Sequence, residues 1–501
     1  MIPDTATVGI VGAGAMGAGI AQVAAAAGHK VLLFDSVSGA AAKGIARAAQ
    51  GLDGLVAKGK LDRAGRDKTI GNIQTVASLD ALAPCAVVIE AIVEDLAAKR
   101  ELFARLETIA ANALLATNTS SISITAIARD LKHPARLAGM HFFNPAPVMK
   151  LVEIVSGLAT APATAEALAG LATRWGKTPV QARSTPGFIV NRIARPYYSE
   201  ALSLLHEKRA KPAAIDACLR AAGFRMGPCE LMDFIGHDVN FAVTQSVFEA
   251  NFGDRRYAPS PVQKELVDAG RLGRKTGQGF YTYGADEKRK PSSPPPVWPA
   301  LRTRVTVCGT GPTADMLLSA LQMTDAPVDR DFEAHGTGLR IDGLGLWLTD
   351  GEPAGLHEAH GEDTDHYAVF DIPLGGKCEG AIAVAFAAAT PHALRQEGLS
   401  ALAATGFTPL QIGDAPGLIV ARTIAMLVNE AADAVQQGVC SAEAADAAMK
   451  LGVAWPAGPF EWLERLGADT IVRILDSLGR LSRGERYRVS PYLRERVWAG
   501  G

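Results

Sequence analysis

The chain has 501 residues, with 50 Lys and Arg against 52 Asp and Glu, a formal net charge of −2 and a 48% hydrophobic composition. That length exceeds one ordinary domain and predicts three or four. The charge balance excludes the electrostatic footprint of a nucleic-acid or anionic-membrane binder, and no apolar run reaches the roughly 20 residues a membrane-spanning helix needs.

Six scattered cysteines (Cys85, Cys218, Cys229, Cys308, Cys378 and Cys440) form no CxxC pair. This argues against a zinc ribbon or a disulfide framework and suits a reducing cytoplasm. The amino terminus, MIPDTATVGIVGAG, has no basic segment and runs directly into a strand, so no signal peptide is expected.

In chain order, residues 7–11 are a short apolar run, 16–27 a breaker-free stretch of small and apolar residues, and 30–34 a second apolar run ending at Asp35. This is a βαβ unit. Further apolar runs at 86–89, 114–116 and 137–140 alternate with helical stretches, predicting a parallel sheet covered on both faces. Residues 1–185 therefore read as an α/β Rossmann-like domain. From Pro186 the texture turns helical, with a long helical pattern over 188–206, giving an all-α domain over 186–283. A Lys-Arg-Lys and Pro-Ser-Ser-Pro-Pro-Pro stretch marks a linker over 284–300.

Beyond the linker the sequence repeats itself. Pro186-Gly-Phe-Ile-Val-Asn-Arg192 returns as Pro416-Gly-Leu-Ile-Val-Ala-Arg422, Glu200 as Glu430, Gly227-Pro-Cys-Glu230 as Gly458-Pro-Phe-Glu461, and Arg256-Tyr257 as Arg486-Tyr487. Residues 406–501 are thus a second helical domain. Residues 301–405, which open with Arg304-Val-Thr-Val-Cys-Gly-Thr-Gly311, are a shortened, degenerate Rossmann-like segment.

The turn Gly12, Gly14, Ala15, Met16 and Gly17 fits GxGxxG after a strand and at the start of a helix, with Asp35 18 residues beyond Gly17. In that context it is a dinucleotide site. The first glycine permits the turn, the second lets a pyrophosphate approach, and the third lets the helix pack. The helix N-terminus offers free N–H groups to the phosphates. Asp35 would accept the ribose hydroxyls, and Ser36 rather than arginine follows it, so NAD is expected over NADP. His141 ends another apolar run, where reacting groups of open α/β sheets usually sit. Glu153 lies among apolar neighbours and needs a partner; a histidine on the next strand would supply one and form a tuned base.

The motifs GAGAMGAGIAQ, EAIVEDLAAK, TNTSSISI, HFFNPAPVMKLVEIV, PGFIVNR and GRKTGQGFYTY, in this order across residues 5–284, resemble the L-3-hydroxyacyl-CoA dehydrogenase family. The resemblance implies NAD-dependent, metal-free interconversion of a (3S)-3-hydroxyacyl-CoA and its 3-oxoacyl-CoA, with a 3-hydroxyadipyl or 3-hydroxybutyryl tail. It implies that His141 is the base and Glu153 its support, and that Ser120 and Asn191 contact the substrate oxygen. Glu94, Lys99, Ser120, Asn144 and Lys275 would meet the cofactor, and Lys58 the CoA phosphates. A dicarboxylic tail would call for a cation, for which Arg192 and Arg195 are candidates.

The segment 356–366 is rich in His and acidic residues but is not HExxH, and reads as a solvated acidic loop rather than a metal site. In the second copy, the repeat offset places Asp371 at the His141 position, an alanine stretch over Glu153 and Ala421 over Asn191, so that copy should be catalytically dead. Its expected use is packing: an intrachain pseudo-dimer of the two helical domains, within a possible homo-oligomer. The alternatives are a related sugar-acid (gulonate-type) dehydrogenase that needs no CoA, and a structural protein that kept the fold without turnover.

Overall fold

Short aliphatic and β-branched runs build two sheets, each inside its own compact unit. The computed structural model describes residues 2–284, 297–361, 364–482 and 484–500. Most of the stretch expected as the linker, 285–296, lies outside the described residues. One unit comprises Met1–Arg192 with Ala434–Val453, and the other Ile193–Asp433 with Ala454–Gly501.

The first unit holds, among the described residues, an eight-stranded sheet. Its strands are β1 (Val8–Val11), β2 (Val31–Phe34), β3 (Ile73–Thr75), β4 (Val87–Glu90), β5 (Leu114–Thr117), β6 (Leu137–Phe142), β7 (Leu151–Ser156) and β8 (Thr178–Arg183). The order is β3-β2-β1-β4-β5-β6-β7-β8. All pairs are parallel except β6–β7. The order reverses between β1 and β4, where open α/β sheets bind nucleotides beyond their strand ends. Helix α1 (Ala15–Ala26) buries Ile20, Ala21 and Ala24 against Ile10, Leu33 and Ile89, each large aliphatic contributing about 1.5–3 kcal/mol on burial.

Besides the helices Ala40–Ala57, Arg63–Gly71, Leu96–Ile109, Ile124–Ala128 and Pro162–Arg174, this unit takes in most of α2 (Val190–Ile193) and α3 (Ala442–Val453). Helix α3 comes from the other end of the chain and packs on β7 and β8. The helical pattern over 188–206 divides into α2 and a separate helix, Arg195–His206. Pro196 is the reason, because it has no N–H to continue the ladder.

The second unit carries β9 (Val305–Cys308), β10 (Val328–Asp331), β11 (Gly338–Ile341), β12 (Leu344–Leu348), β13 (His366–Phe370), β14 (Gly380–Phe386) and β15 (Phe407–Gln411). Their order is β10-β9-β11-β12-β13-β14-β15. This is the shortened counterpart of the first sheet, with one departure: β11 runs antiparallel to both β9 and β12. The cause is local. Asp342 and Gly343 both take positive φ, 37° and 84°, as the tight turn of a β-hairpin requires, so a two-residue turn replaces a crossover helix. Helix Pro212–Ala221 packs on β14 here. It is the repeat counterpart of α3, so each sheet carries a helix from the other copy.

The two helical halves meet inside this unit through buried charge. Glu200 accepts from Arg422 Nε (3.1 Å), Arg486 Nη2 (2.8 Å) and the Tyr487 hydroxyl (3.0 Å). Its repeat mate Glu430 accepts from Tyr257 (2.6 Å) and Arg256 (3.4 Å), and Arg256 also pairs with Asp433. Both glutamates are fully buried. Burial pushes the Glu200 carboxyl up, but Arg486 and Arg422 outweigh it and hold it below the usual range.

Removing one partner of a buried ion cluster costs about 3–5 kcal/mol. Glu200→Gln should lose stability of that order at pH 7 in urea titrations. A carboxyl held low contributes above its unfolded pKa and loses that contribution as pH falls through its folded value. The difference between wild type and variant should therefore begin to shrink below the unfolded glutamate value, about 4.3, and vanish only once pH has fallen through the lower folded value.

Candidate active site

The glycine turn sits at the C-terminal end of β1. Gly12 has φ 98°, and a side chain there would overlap the Ala91 carbonyl; a side chain at Gly17 would overlap the Gly12 carbonyl. Gly14, the N-cap of α1, is different: a Cβ there meets nothing within 4 Å, and no side chain caps the helix. Two glycines are thus needed by the protein itself, and the third leaves open space in front of free N–H groups. Asp35, just past β2, accepts from Ala13 N (2.7 Å) and Val37 N (2.9 Å), which fixes its carboxylate beside the turn. These residues fit a dinucleotide: a pyrophosphate at the open glycine and a ribose at the carboxylate. Ala15 and Met16 form the first turn of α1.

Past β4 and β5 a second network shapes the same edge. Glu94 Oε1 accepts from the Thr119 hydroxyl (2.6 Å), Ser120 N (3.0 Å), Ser121 N (3.1 Å) and the Ser121 hydroxyl (2.9 Å). Burial raises this carboxyl, but Thr119, Lys99 and Ser121 outweigh it and hold it low. Glu94 is therefore the clamp that orders the turn presenting Ser120. Lys99 is 1% exposed and bridges Glu90 (2.6 Å) and Glu94 (3.4 Å), so its ammonium bears on the turn from beneath. Glu90, which went unnoticed in the sequence, also takes the Thr117 hydroxyl (2.6 Å) and Ile92 N (2.7 Å). Its signal was a carboxylate closing the buried run Val-Val-Ile-Glu. Asn118 was missed as well; its side chain accepts from Phe142 N (2.9 Å) and ties the β5 turn to β6.

His141 and Glu153 are directly opposite on the antiparallel pair β6–β7, so strand alternation puts both side chains on one face. His141 Nδ1 lies 2.6 Å from Glu153 Oε2. The other oxygen, Oε1, accepts from Ile189 N (3.1 Å) and Val190 N (2.9 Å). One carboxylate thereby joins β6, β7 and the start of α2, which carries Asn191. His141 is 6% exposed and packs beside Phe143 and Phe188, leaving Nε2 as the nitrogen without a protein carboxylate. Beyond β6, Asn144 lies on an exposed turn. That turn is pinned by Lys177 Nζ, which donates to the Ala146 and Met149 carbonyls (2.5 and 2.8 Å); burial, and then Lys150, lower this ammonium to about 8.

Lys58 is exposed at the end of helix Ala40–Ala57. Lys275 lies in the second unit, paired with Asp238 at 2.6 Å. Arg192 donates to Gln437 Oε1 (2.9 Å) and Arg195, in the second unit, to Thr244 (3.1 Å). In the 356–366 segment, His357 pairs with Asp350 and His366 with Glu358. Among the described residues no helix is long and apolar enough to cross a membrane, and no cluster of three or more His, Cys, Asp or Glu could hold a metal.

The second copy shows what remains when the pair is lost. Asp371 follows β13 and donates its N–H to the Ala383 carbonyl on β14. Its carboxylate accepts from Ile419, Val420 and Ala421 N (2.9, 2.6 and 2.9 Å). It therefore caps the helix as Glu153 does, with Ala383 opposite in place of the acid and no histidine. Burial raises this carboxyl to about 6.

Residues 7–185 match the family described as 3-hydroxyacyl-CoA dehydrogenase, NAD binding domain, and 187–283 and 417–501 both match the corresponding C-terminal domain. Residues 346–416 match the 3-hydroxybutyryl-CoA dehydrogenase reduced Rossmann-fold domain. The chain is 45% identical over 499 residues to a 3-hydroxyadipyl-CoA dehydrogenase of Escherichia coli K12, covering 99% of this chain and 98% of that one. Human mitochondrial hydroxyacyl-coenzyme A dehydrogenase is 42% identical over 285 residues, covering 55% of this chain and 90% of that one. The crystal structure of a 3-hydroxybutyryl-CoA dehydrogenase from E. coli K12 superposes with a TM-score of 0.89 at 43% identity, covering 99% of this chain and 98% of that one.

The glycine geometry separates two effects. Gly17→Ala should displace the turn, lowering both thermal stability and NADH binding. Gly14→Ala should leave the melting temperature unchanged and weaken only NADH binding, read by nucleotide fluorescence.

Proposed function

The chain belongs to the 3-hydroxyacyl-CoA dehydrogenase family and is an NAD-dependent enzyme, and we propose that the first copy performs all of its chemistry, with His141 as the base. The observation that carries this is the His141–Glu153 pair at the sheet edge that also bears the glycine turn and Asp35. NAD, when bound, supplies the acceptor for the hydride that leaves C3 of the substrate. His141 Nε2 takes the 3-hydroxyl proton as that bond breaks, and C3–O becomes a carbonyl. Glu153 holds the Nδ1 proton, sets the tautomer and supports the imidazolium that forms. Ser120 and Asn191 donate to the substrate oxygen, which favours the reverse reduction. Lys58 meets the CoA phosphates.

For the acyl tail we favour a six-carbon dicarboxylate, on the full-length likeness to the E. coli 3-hydroxyadipyl-CoA enzyme. Arg192 already spends a donor on Gln437. The second copy is a packing partner: it lacks counterparts of Glu153 and Asn191, and its buried ion cluster with the first helical half acts as an intrachain pseudo-dimer contact. Six cysteines, none of them in a disulfide among the described residues, fit a cytoplasmic site of action.

NADH oxidation should proceed with acetoacetyl-CoA and faster with 3-oxoadipyl-CoA; turnover of a sugar acid without CoA would overturn the reading. His141→Gln should lower kcat by about 10²–10⁴-fold with NADH binding retained, and near-normal turnover in that variant would remove the base assignment.

A further inference from the structure

The first unit contains twenty residues, Ala434–Val453, that the sequence repeat assigns to the second copy. They lie against the strand and turn that hold Glu153. Val439 O accepts from Arg183 N at the end of β8 (2.9 Å), and Gln437 Oε1 accepts from Arg192, the neighbour of Asn191 (2.9 Å). Helix α3 then crosses β7 and β8. Near its end is Gly452, whose missing side chain is filled by two first-copy residues: a Cβ there would lie 2.6 Å from Leu151 Cδ2 and 3.2 Å from Val190 Cγ2.

Both neighbours belong to the Glu153 clamp. Leu151 opens β7 two residues before Glu153, and Val190 donates its N–H to Glu153 Oε1. Leu151 is fully buried and Val190 nearly so, so neither has solvent to move into. Cys440, half-buried nearby, has its thiol pushed up to about 12, first by burial, with Arg192 lowering and Glu153 raising it.

We infer that α3, encoded in the degenerate copy, is a positioning element for the catalytic pair of the first copy, and that Gly452 is the residue through which it sets the spacing of β7 and α2. Gly452 touches no reacting group. Any side chain there pushes on Leu151 and Val190 together, and so on both oxygens of Glu153: Oε2 through the strand facing His141, and Oε1 through the turn. The degenerate copy thus acts on catalysis without having chemistry of its own. The inference rests on the His141 and Glu153 roles given above.

The test is Gly452→Ala in the full chain, alone and with Leu151→Val, which removes the opposing methyl. Displacements of about 1 Å at a distance from the chemistry cost up to ~100-fold. Gly452→Ala should lower kcat about 10- to 100-fold, with NADH affinity and acyl-CoA KM little changed, and Leu151→Val should restore most of the loss. A folded Gly452→Ala protein with wild-type kcat overturns the inference, as does a loss that Leu151→Val does not relieve. If Gly452→Ala does not fold, Leu151→Val alone carries the test: by opening space opposite Gly452 it loosens the same contact, so kcat should fall about 3- to 10-fold with NADH affinity and acyl-CoA KM little changed, and an unchanged kcat overturns the inference. Retained turnover in His141→Gln would instead remove the role assignment on which it rests.

Discussion

Much of this enzyme turns on how one buried carboxylate divides its two oxygens. Glu153 gives one to the imidazole of His141 and the other to the backbone N–H groups of Ile189 and Val190. A carboxylate withdrawn from water is tolerable only when its lone pairs are satisfied, and these partners come from three separate segments. Meeting the requirement fixes the register of β6 on β7, the orientation of the imidazole, and the point where the chain leaves the sheet for α2. The charge that faces the imidazole is also the fastener that positions it. Pre-organisation of this kind means the donor and acceptor geometry is present before substrate arrives.

The second copy separates those two duties. Asp371 keeps the helix-capping contacts to 419–421, while Ala383 stands opposite it where an acid would be needed. The structural role survives because the N–H groups at the start of a buried helix still require an acceptor. The histidine–carboxylate pair is absent there, and nothing in packing demands one. The same contrast holds at Asn191 and Ala421: the polar side chain is lost, while the surrounding Pro-Gly-x-Ile-Val frame persists in both copies.

The first sheet was readable because its signals are local. A glycine turn between two apolar runs, and Asp35 at a fixed distance, depend on backbone sterics that only a few residues satisfy. The His141–Glu153 pair was legible because strand alternation and the cost of burying an acid both point to it. Three things were not legible. The antiparallel β11 came from Asp342-Gly343, a two-residue turn that has no counterpart in the copied sheet. The break before Arg195 came from Pro196 inside an otherwise continuous helical pattern. The placement of 434–453 with the first sheet depends on long-range packing, which no window of sequence encodes. Glu90 and Asn118 were hidden for a simpler reason: their work is to hold other groups, and a supporting side chain has no motif of its own.

The exchange of helices, with Ala442–Val453 on the first sheet and Pro212–Ala221 on the second, has a bearing on how such a gene can change. A duplicated half that merely trailed behind its parent would be free to erode and be trimmed away. Here each half completes the other's scaffold, so shedding the second half would strip a helix from the first sheet. Single residues of the second copy can drift where packing does not hold them, but the copy as a whole is tied to the first by the helices they exchange.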